Sequence, residues 1–330
     1  MQQSTLKKLS ETLGISISTV SRALKDHPDI SDKTKAKVKE LAAMMDYEPN
    51  SYAIQLRTGK NNVLGVLLPY INNFFYDTFI AALEEEARKK NYTLMIMQSG
   101  DSVVDEVAAL KHFRKSLVTG LFAAVSVETE ELTEFEKVSE SGTPVVFIDR
   151  VPVPGGYIKT CMSDELAAQM AAEAIIKKKK KHVLALFGHP HLSISKLRHE
   201  SFTRTFEKLS PKTKITVEWP EQIENSHSIF REVWKRSDKP DVVFCMGDMI
   251  LIGVMRAIHE LKLKVPEDIA VIGISNGLIP TMYDPRITYV ETSGFKLGKL
   301  AFEQMMNSLH NKPLQQEVYV ESVLVEGGSL

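Results

Sequence analysis

The sequence predicts a protein of two parts: an all-α helix-turn-helix headpiece and an α/β core of two doubly wound parallel-sheet lobes. Apolar residues recur at helical spacing in the first sixty residues, whereas from Asn62 onward short apolar runs alternate with amphipathic segments. The length of 330 residues agrees with this division, because a single domain usually holds roughly 100–200 residues. We therefore expect at least two separately folded units.

The first two predicted elements are short helices separated by a glycine. Gly14 interrupts a helical repeat of three leucines, Leu6, Leu9 and Leu13. Either Ser16 or Ser18 can cap the second helix through its hydroxyl, and Val20 and Leu24 are expected to face inward. The side chains left on the outward face are those of Ile17, Ser18, Thr19, Ser21 and Arg22.

A third helix and a conditional hinge follow. Ser31 is placed to cap the third helix, and Pro49 ends the helical region. The segment that begins at Asn50 and ends at Gly59 is too short for a stable isolated helix, although Asn50 can cap one when a partner is present. We predict a helix-turn-helix domain at 1–46 and a hinge helix with linker at 47–60.

The core sequence contains two successive series of strand and helix patterns. The apolar runs are VLGVLLPYI, YTLMIM, GLFAAV and PVVFID in the first series, and HVLALFG, ITVEW, DVVFCMG and IAVIGIS in the second. This alternation predicts two parallel sheets with a cleft between them. The predicted N-lobe comprises about 61–161 and 293–320, and the predicted C-lobe comprises about 162–292 and 321–330.

Charge is distributed unevenly along the chain. The formal net charge is −1, but residues 1–60 hold ten Lys/Arg and seven Asp/Glu, which leaves 31 and 35 for residues 61–330. The basic excess therefore lies in the N-terminal part, as contact with phosphates requires. With two distant cysteines, no signal peptide and no long apolar stretch, we expect a cytoplasmic protein without disulfides or a membrane span.

The N-terminal motif resembles a known family of regulators, the lactose-repressor/galactose-repressor (LacI/GalR) family. The residues that carry the likeness are Thr5, Gly14, Ser16, STVSRAL at Ser18–Leu24, YEPN at Tyr47–Asn50 and LRTG at Leu56–Gly59. A periplasmic-binding-protein-like core of matching length extends the resemblance over essentially the whole chain. It implies a ligand-responsive transcriptional regulator, usually a repressor of carbohydrate or related catabolic genes. Its expected form is a homodimer, or a tetramer, on a pseudo-palindromic operator.

The second helix is the predicted reading element, because a helix of this size fits the major groove. Arg22 is the leading candidate, since its planar guanidinium can bond guanine O6 and N7 together, whereas Ile17 can contact only thymine methyl groups. The residues predicted to bind double-stranded operator DNA are Thr5, Leu6, Ser16, Ile17, Ser18, Thr19, Ser21, Arg22, Ser31 and Thr34, with Asn50, Ala53 and Leu56 in the hinge.

Two alternatives stay open at the DNA-facing positions. In the family a hinge leucine enters the minor groove of the operator, and the resemblance assigns this role to Leu56. Leu56 can instead pack against the core as an ordinary linker residue. Likewise, the three helices can form a protein-binding module in which Arg22 is a solvated surface residue.

The resemblance also places an effector site in the cleft, at strand ends and adjoining loops. The corresponding residues are Phe74, Phe75, Asp149, Arg150, Arg198, Asp248, Ser275 and Asn276. Aromatic faces there can stack on a sugar ring or a base, while Asp and Arg can bind hydroxyls or acids. The alternatives are that the two phenylalanines pack in the core and that Asp248 caps a helix.

Departures from the family pattern bear on the ligand. Ser163, Gly247 and Ser275 replace polar residues that relatives commonly carry, so fewer side chains are available to bind sugar hydroxyls. Arg150 and Arg198 would suit an anionic group. We predict a sugar or a sugar derivative as the effector.

Other conspicuous features are assigned no function. The run Lys177–Lys181 precedes a strand and is expected to be a solvated helix end and not a DNA site. His182, His189 and His191 lack the spacing of a zinc site and are expected at the surface or in turns. We expect no metal, no cofactor and no enzymatic activity. The rival functions are a two-lobed binding protein and an enzyme that uses cleft residues.

Overall fold

The computed structural model of the protein describes residues 6–47, 61–153 and 155–330. Four of the predicted DNA contacts, Thr5, Asn50, Ala53 and Leu56, lie outside these residues, as does the hinge helix apart from Tyr47. The chain forms two compact units that divide between Asn61 and Asn62.

The N-terminal unit contains three helices around a small apolar core. They are α1 (Leu6–Leu13), α2 (Ile17–Leu24) and α3 (Asp32–Met44). Leu9, Val20, Ala23 and Val38 are fully buried between them. Ala23 thus accompanies Val20 in the core, whereas Leu24, predicted to face inward, is only half-buried. The predicted helix-turn-helix headpiece is confirmed.

Side-chain hydroxyls start the second and third helices. The backbone N–H of Thr19 donates to Ser16 Oγ at 3.1 Å, and that of Thr34 donates to Ser31 Oγ at 3.3 Å. Ser16 is therefore the cap of α2, and each bond satisfies a backbone donor that the first turn leaves without an intrahelical acceptor. Gly14 adopts a φ of +64° between α1 and α2, which only glycine tolerates easily.

The C-terminal unit begins with the N-lobe sheet, whose six strands are all parallel in the order β11-β5-β4-β3-β1-β2. The strands are β1 (Val63–Leu68), β2 (Thr93–Gln98), β3 (Gly120–Ala123), β4 (Val145–Ile148), β5 (Ile158–Met162) and β11 (Glu317–Val320). The helices beside it are α4 (Phe74–Lys89), α5 (Val103–Lys115), α6 (Thr133–Glu140) and α11 (Gly294–Leu309). Both faces of the sheet are buried at the central strands β1, β3 and β4, which explains why these strands are apolar without alternation.

The C-lobe sheet has six strands in the order β12-β10-β9-β8-β6-β7, parallel except for the pair β10 and β12. The strands are β6 (His182–Leu186), β7 (Lys214–Glu218), β8 (Val242–Cys245), β9 (Ala270–Ser275), β10 (Thr288–Glu291) and β12 (Val323–Val325). The helices are α7 (Asp164–Lys177), α8 (Ser193–Leu209), α9 (Ile223–Trp234) and α10 (Asp248–Glu260). The predicted pair of doubly wound lobes is confirmed.

The chain crosses between the two lobes three times. It leaves the N-lobe sheet after β5 to form α7, returns after β10 to form α11, and crosses again between β11 and β12. Each lobe therefore contains segments that are distant in sequence, so the two lobes fold as one connected unit.

One prediction about the histidines is wrong. His182 begins β6, is only 7% exposed, and has its Nε2 atom 2.9 Å from Thr216 Oγ1. A histidine fits there because its second ring nitrogen faces Asp238 at 3.4 Å, so the polar ring is not isolated in the interior. The neighbouring lysine run ends α7 in solvent, as expected.

No helix in the described ranges is both long and apolar enough to span a bilayer.

We expect the substitution Gly298→Ala to destabilise the N-lobe. A Cβ at Gly298 on α11 would lie 2.7 Å from the Phe79 carbonyl oxygen and 2.8 Å from Ala82 Cβ on α4. Overpacking of this kind costs about 1–3 kcal/mol. Urea unfolding of the two proteins measures the difference. Gly155→Ala, where a Cβ meets no described atom within 4 Å, is the control and should change stability by less than about 0.5 kcal/mol; equal effects of both changes would contradict the packing explanation.

Candidate functional site

The exposed face of α2 carries the side chains predicted to read DNA. Ser16, Ile17, Ser18 and Arg22 are exposed, whereas Thr19 and Ser21 are half-buried. Ile17 leaves 47% of its surface in solvent. The Arg22 guanidinium has no ion-pair partner within residues 6–47. Both side chains are thus available to an external partner.

Hydroxyl groups cluster at the beginning of α2. Ser16 Oγ lies 2.7 Å from Ser18 Oγ and 2.8 Å from Thr19 Oγ1. Free backbone N–H groups and hydroxyls at a helix N-terminus form a surface that suits a phosphate. Ser31 and Thr34 form a similar pair at the start of α3, with their hydroxyl oxygens 2.9 Å apart.

Leu6 is the one described residue of the predicted DNA set that takes part in the core. It is half-buried against the apolar cluster of the N-terminal unit. Lysines of α3 supply positive charge nearby: Lys39 is bound to Asp26 at 2.6 Å, whereas Lys33 and Lys37 have no ion pair in the described part of the chain. The unit therefore keeps free cations as well as exposed reading residues.

The C-terminal unit contains a cavity of about 410 Å³ between its two lobes. All eight residues predicted to bind an effector line it: Phe74, Phe75, Asp149, Arg150, Arg198, Asp248, Ser275 and Asn276. They come together because the carboxyl ends of the parallel strands in each sheet point toward the same cleft. Their role in ligand binding remains a prediction.

Arg198 is held rigidly at the C-lobe side of this cavity. Its Nε and Nη2 atoms donate to Asp164 Oδ1 at 2.8 and 2.6 Å, and Nη1 donates to the Met246 carbonyl oxygen at 2.7 Å. Both charged residues are nearly buried, at 6% and 5% exposure. Burial raises the pKa of Asp164, although the Arg198 charge opposes that shift.

Asp164 was not among the predicted site residues. Its only sequence signal is its place two residues after the end of β5, because its cationic partner stands 34 positions later, in α8. The ion pair joins the start of α7 to α8 and to the end of β8 through Met246. It therefore positions the cavity wall as well as a charge.

The N-lobe side of the cavity contains a second set of bonded polar groups. Arg150 Nη1 donates to Asp101 Oδ1 at 2.6 Å, and Tyr76 Oη donates to Asp149 Oδ2 at 2.6 Å. Burial, together with the Asp149 charge, raises the pKa of Tyr76, so its hydroxyl stays protonated and can donate. Asp101 and Tyr76 were missed by sequence reasoning because neither belongs to a recognisable motif.

Asp248 begins α10 but does not cap it. Gly247 is the capping position, and no side chain bonds to the first turn of the helix. Instead, Asp248 Oδ1 accepts a hydrogen bond from Ser275 Oγ, and Oδ2 accepts from the Asn276 N–H at 3.4 Å. Burial raises the pKa of Asp248, an effect that these hydrogen bonds partly offset.

Asn276 and Phe74 connect the two lobes. The Asn276 side-chain amide donates to the Phe74 carbonyl oxygen, and Asn276 Oδ1 accepts from Leu278 N at 3.1 Å. The Phe74 ring packs against the buried cluster of the C-lobe, whereas Phe75 packs against that of the N-lobe. Phe74 and Phe75 thus both pack against a hydrophobic core and line the cavity. Asn276 contacts the opposite lobe directly.

The N-terminal part of the chain is similar in sequence to a known family of proteins. Residues 5–50 match the sequence profile described as bacterial regulatory proteins, lacI family. The N-terminal unit is therefore similar to the DNA-binding part of lacI-family regulators. Residues 172–330 match a second profile, described as a periplasmic binding protein-like domain. The resemblance inferred from the sequence motifs is confirmed.

Relatives of this chain align over almost its whole length. It is 23% identical over 317 residues to the HTH-type transcriptional repressor PurR of Vibrio vulnificus, covering 96% of this chain and 95% of that protein. It is 25% identical over 312 residues to the ribose operon repressor of Bacillus subtilis, covering 94% of each. The fold is similar to that of a Lac repressor dimer bound to operator and the anti-inducer ONPF, with a TM-score of 0.90, 20% identity and 99% of each chain covered.

Within the described residues, no group of three or more His, Cys, Asp or Glu side chains is arranged to hold a metal ion. The N-terminal unit thus matches a profile of regulatory proteins, and the C-terminal unit contains a cavity lined by polar and aromatic residues.

We expect Asp164→Ala to destabilise the C-lobe strongly. The change leaves the buried Arg198 guanidinium without a counter-charge, and breaking one side of a buried ion pair costs about 3–5 kcal/mol. The neighbouring exposed residue offers a matched control: Glu165 lies 3.9 Å from Arg204, and Glu165→Ala should cost less than about 1 kcal/mol. Urea unfolding followed by circular dichroism compares them. If Asp164→Ala lowered the free energy of unfolding as little as the control does, the positioning role of the ion pair would be refuted.

Proposed function

We propose that this lacI-family protein is a ligand-responsive transcriptional repressor that binds operator DNA. The observation that carries the proposal is the exposed face of α2, where Arg22 and Ile17 project from a folded helix-turn-helix unit. The relatives named PurR and ribose operon repressor support repression as the outcome of binding. We place the protein in the cytoplasm, where the chromosome is accessible.

The reading of DNA follows from the chemistry of α2. Arg22 donates to guanine O6 and N7 in the major groove, and Ile17 contacts thymine methyl groups beside it. The hydroxyls of Ser16, Ser18 and Thr19 bind phosphates and fix the helix in register. Leu56 enters the minor groove as part of the hinge, as the family resemblance implies.

A dimer is required for specific recognition. One recognition helix contacts only a few base pairs, so a single headpiece cannot define a site in a genome. Two copies related by a two-fold axis recognise a pseudo-palindrome with two half-sites.

The ligand we propose for the cavity is a neutral, hydroxyl-rich molecule such as a sugar. Both cavity arginines already have carboxylate partners, Arg150 with Asp101 and Arg198 with Asp164. The unpaired charges that remain, Asp149 and Asp248, are acidic and can accept hydrogen bonds from hydroxyls. An anionic ligand would be repelled here, contrary to what two arginines in the sequence suggested.

Regulation follows from the cavity's position between the lobes. A ligand that binds one arrangement of the lobes more tightly shifts the population toward it, and it thereby changes how two copies present their hinges to DNA. The genes controlled are those for carbohydrate uptake or breakdown. An enzymatic role is disfavoured because the paired carboxylates and arginines hold one another in place, and a turnover assay on the bound sugar tests this alternative.

Arg22→Ala should abolish base discrimination while leaving much of the affinity for DNA in general. Selection of sites from random duplexes by the wild-type chain is expected to yield a pseudo-palindrome, and the variant should lose roughly 10- to 100-fold in preference for it. Lys25→Ala, one turn away and equally exposed, is the control and should weaken all duplexes alike. Identical preference in the wild-type and Arg22→Ala proteins would exclude Arg22 as the reading residue.

Neutral sugars should bind more tightly than their phosphate esters. Matched pairs of a monosaccharide and its phosphate are titrated by calorimetry, and we expect the ester to bind at least about 10-fold more weakly because of Asp149 and Asp248. Asp248→Asn, which keeps the shape but removes one charge, should reduce that discrimination. Tighter binding of the phosphate ester to the wild-type protein would show that the arginines, and not the carboxylates, select the ligand.

A further inference from the structure

A second charged surface lies on the C-lobe sheet, at the edge opposite the cavity. Cavity residues follow the carboxyl ends of β6, β8 and β9, whereas the chain enters these strands at the other edge. Four chain segments meet at this entry edge. We call them the lysine edge, and they comprise residues 177–181, 212–214, 235–241 and 262–268.

Backbone hydrogen bonds place these segments side by side. Lys214 N donates to Lys181 O at 2.8 Å, Asp241 N donates to His182 O at 2.9 Å, and Ala270 N donates to Asp241 O at 3.1 Å. The lysine edge is therefore one continuous surface, although its segments are far apart in the sequence.

The charge of the lysine edge is opposite in sign to that of the unit that carries it. Its segments contain eleven lysines and Arg236 against four acidic residues, whereas residues 61–330 as a whole contain 31 Lys/Arg and 35 Asp/Glu. Solvation alone explains a single lysine run at a helix end, such as Lys177–Lys181. The sequence of this run does not reveal that three further basic segments lie beside it in the folded protein. The basic charge is thus concentrated by the fold.

Most acidic groups of the lysine edge are engaged in local structure. The pairs are Asp238 with the Lys214 ammonium, Asp241 with the Lys181 N–H and Asp268 with the Lys264 N–H. Lys239 has no ion pair among the described residues but lies over the Trp234 ring. The other lysines of the edge without an ion pair in the described ranges are Lys177, Lys178, Lys179, Lys180, Lys181, Lys212, Lys262 and Lys264, and all except the half-buried Lys180 are exposed. Eight cations are therefore free to meet an external partner.

We propose that the lysine edge binds the phosphate backbone of double-stranded DNA without reading its sequence. Lysine ammonium groups are point charges that lack the fork geometry of arginine, so they neutralise phosphates without selecting bases. None of the exposed large apolar side chains in the described part of the chain lies within these four segments, and Leu209, which precedes residues 212–214, is a single such residue. A protein partner would need such anchors, because protein interfaces are enriched in aromatic residues and depleted in lysine.

The nearest aromatic residue supports the same assignment. Trp234 is half-buried, stacks on Phe230, and lies under the Lys239 ammonium at 4.8 Å, so its ring is occupied within the protein. The Trp234 ring is therefore not available to stack on an unpaired base, which favours double-stranded over single-stranded DNA as the partner. A chain with this surface and a DNA-reading headpiece on a separate unit has two DNA contacts.

Salt-dependent binding to an arbitrary duplex tests the proposal. Fluorescence anisotropy measures the affinity of four proteins for the duplex at several salt concentrations. They are the unchanged full chain, a headpiece variant (Arg22→Ala with Lys33→Gln and Lys37→Gln), an edge variant with glutamine at all four positions of Lys178–Lys181, and a variant that combines both sets of changes. In the headpiece background, the edge changes should lower the slope of log K against log salt by about 3–4. Between about 50 and 200 mM NaCl, the decrease in DNA affinity should therefore be roughly 100-fold smaller when the edge lysines are replaced.

Four other exposed lysines provide the matched control, namely Lys90→Gln, Lys111→Gln, Lys196→Gln and Lys312→Gln, which change the net charge equally. An unchanged slope in the edge variant, or an equal decrease in this control, would overturn the proposal. Tighter binding of an RNA duplex than of the DNA duplex would also overturn it. The same holds for saturable binding of poly-glutamate with an affinity equal to that for DNA. Loss of sequence preference through Arg22→Ala is a separate measurement, so failure of the headpiece assignment does not alter this comparison.

Discussion

The buried ion pair between Arg198 and Asp164 is the interaction on which the ligand-binding half of the molecule depends. It fixes the start of α7, the middle of α8 and, through Met246, the end of β8. A charged pair with so little exposure is stable only when both partners and the remaining donors are satisfied, as they are here. The Arg198 side chain is therefore held in place on the C-lobe side of the cavity, and its charge is balanced before any ligand enters.

The same reasoning applies to the N-lobe side and explains the character of the cavity. Asp101 balances Arg150, and Tyr76 supplies a donor to one oxygen of Asp149. The carboxylates of Asp149 and Asp248 remain without a cationic partner among the described residues, beside the aromatic residues Phe74 and Phe75. A binding site of this composition favours molecules rich in hydrogen-bond donors, and the Asn276 contact to Phe74 couples the two walls between which such a molecule lies.

The C-lobe sheet presents opposite chemistry at its two edges. Its carboxyl edge ends in Gly188, Met246 and Asp248 at the cavity, and its amino edge carries the lysine edge. This polarity is a property of parallel sheets, in which all loops of one kind emerge on one side. A single sheet can thus carry a ligand site and an independent charged surface without either interfering with the other.

The sequence by itself determined the architecture and the candidate residues. Periodicity separated the helical headpiece from the two lobes, capping serines marked α2 and α3, and the motif around Arg22 identified the family, because these signals are local in the chain. Tertiary structure alone decided the partners of the cavity arginines, the burial of His182, the lobe-to-lobe contact of Asn276 and the assembly of the lysine edge. Those features join residues that are far apart in the sequence, by as many as 202 positions for Asn276 and Phe74, and pairing over such distances is set by sheet topology and packing, which leave no local pattern.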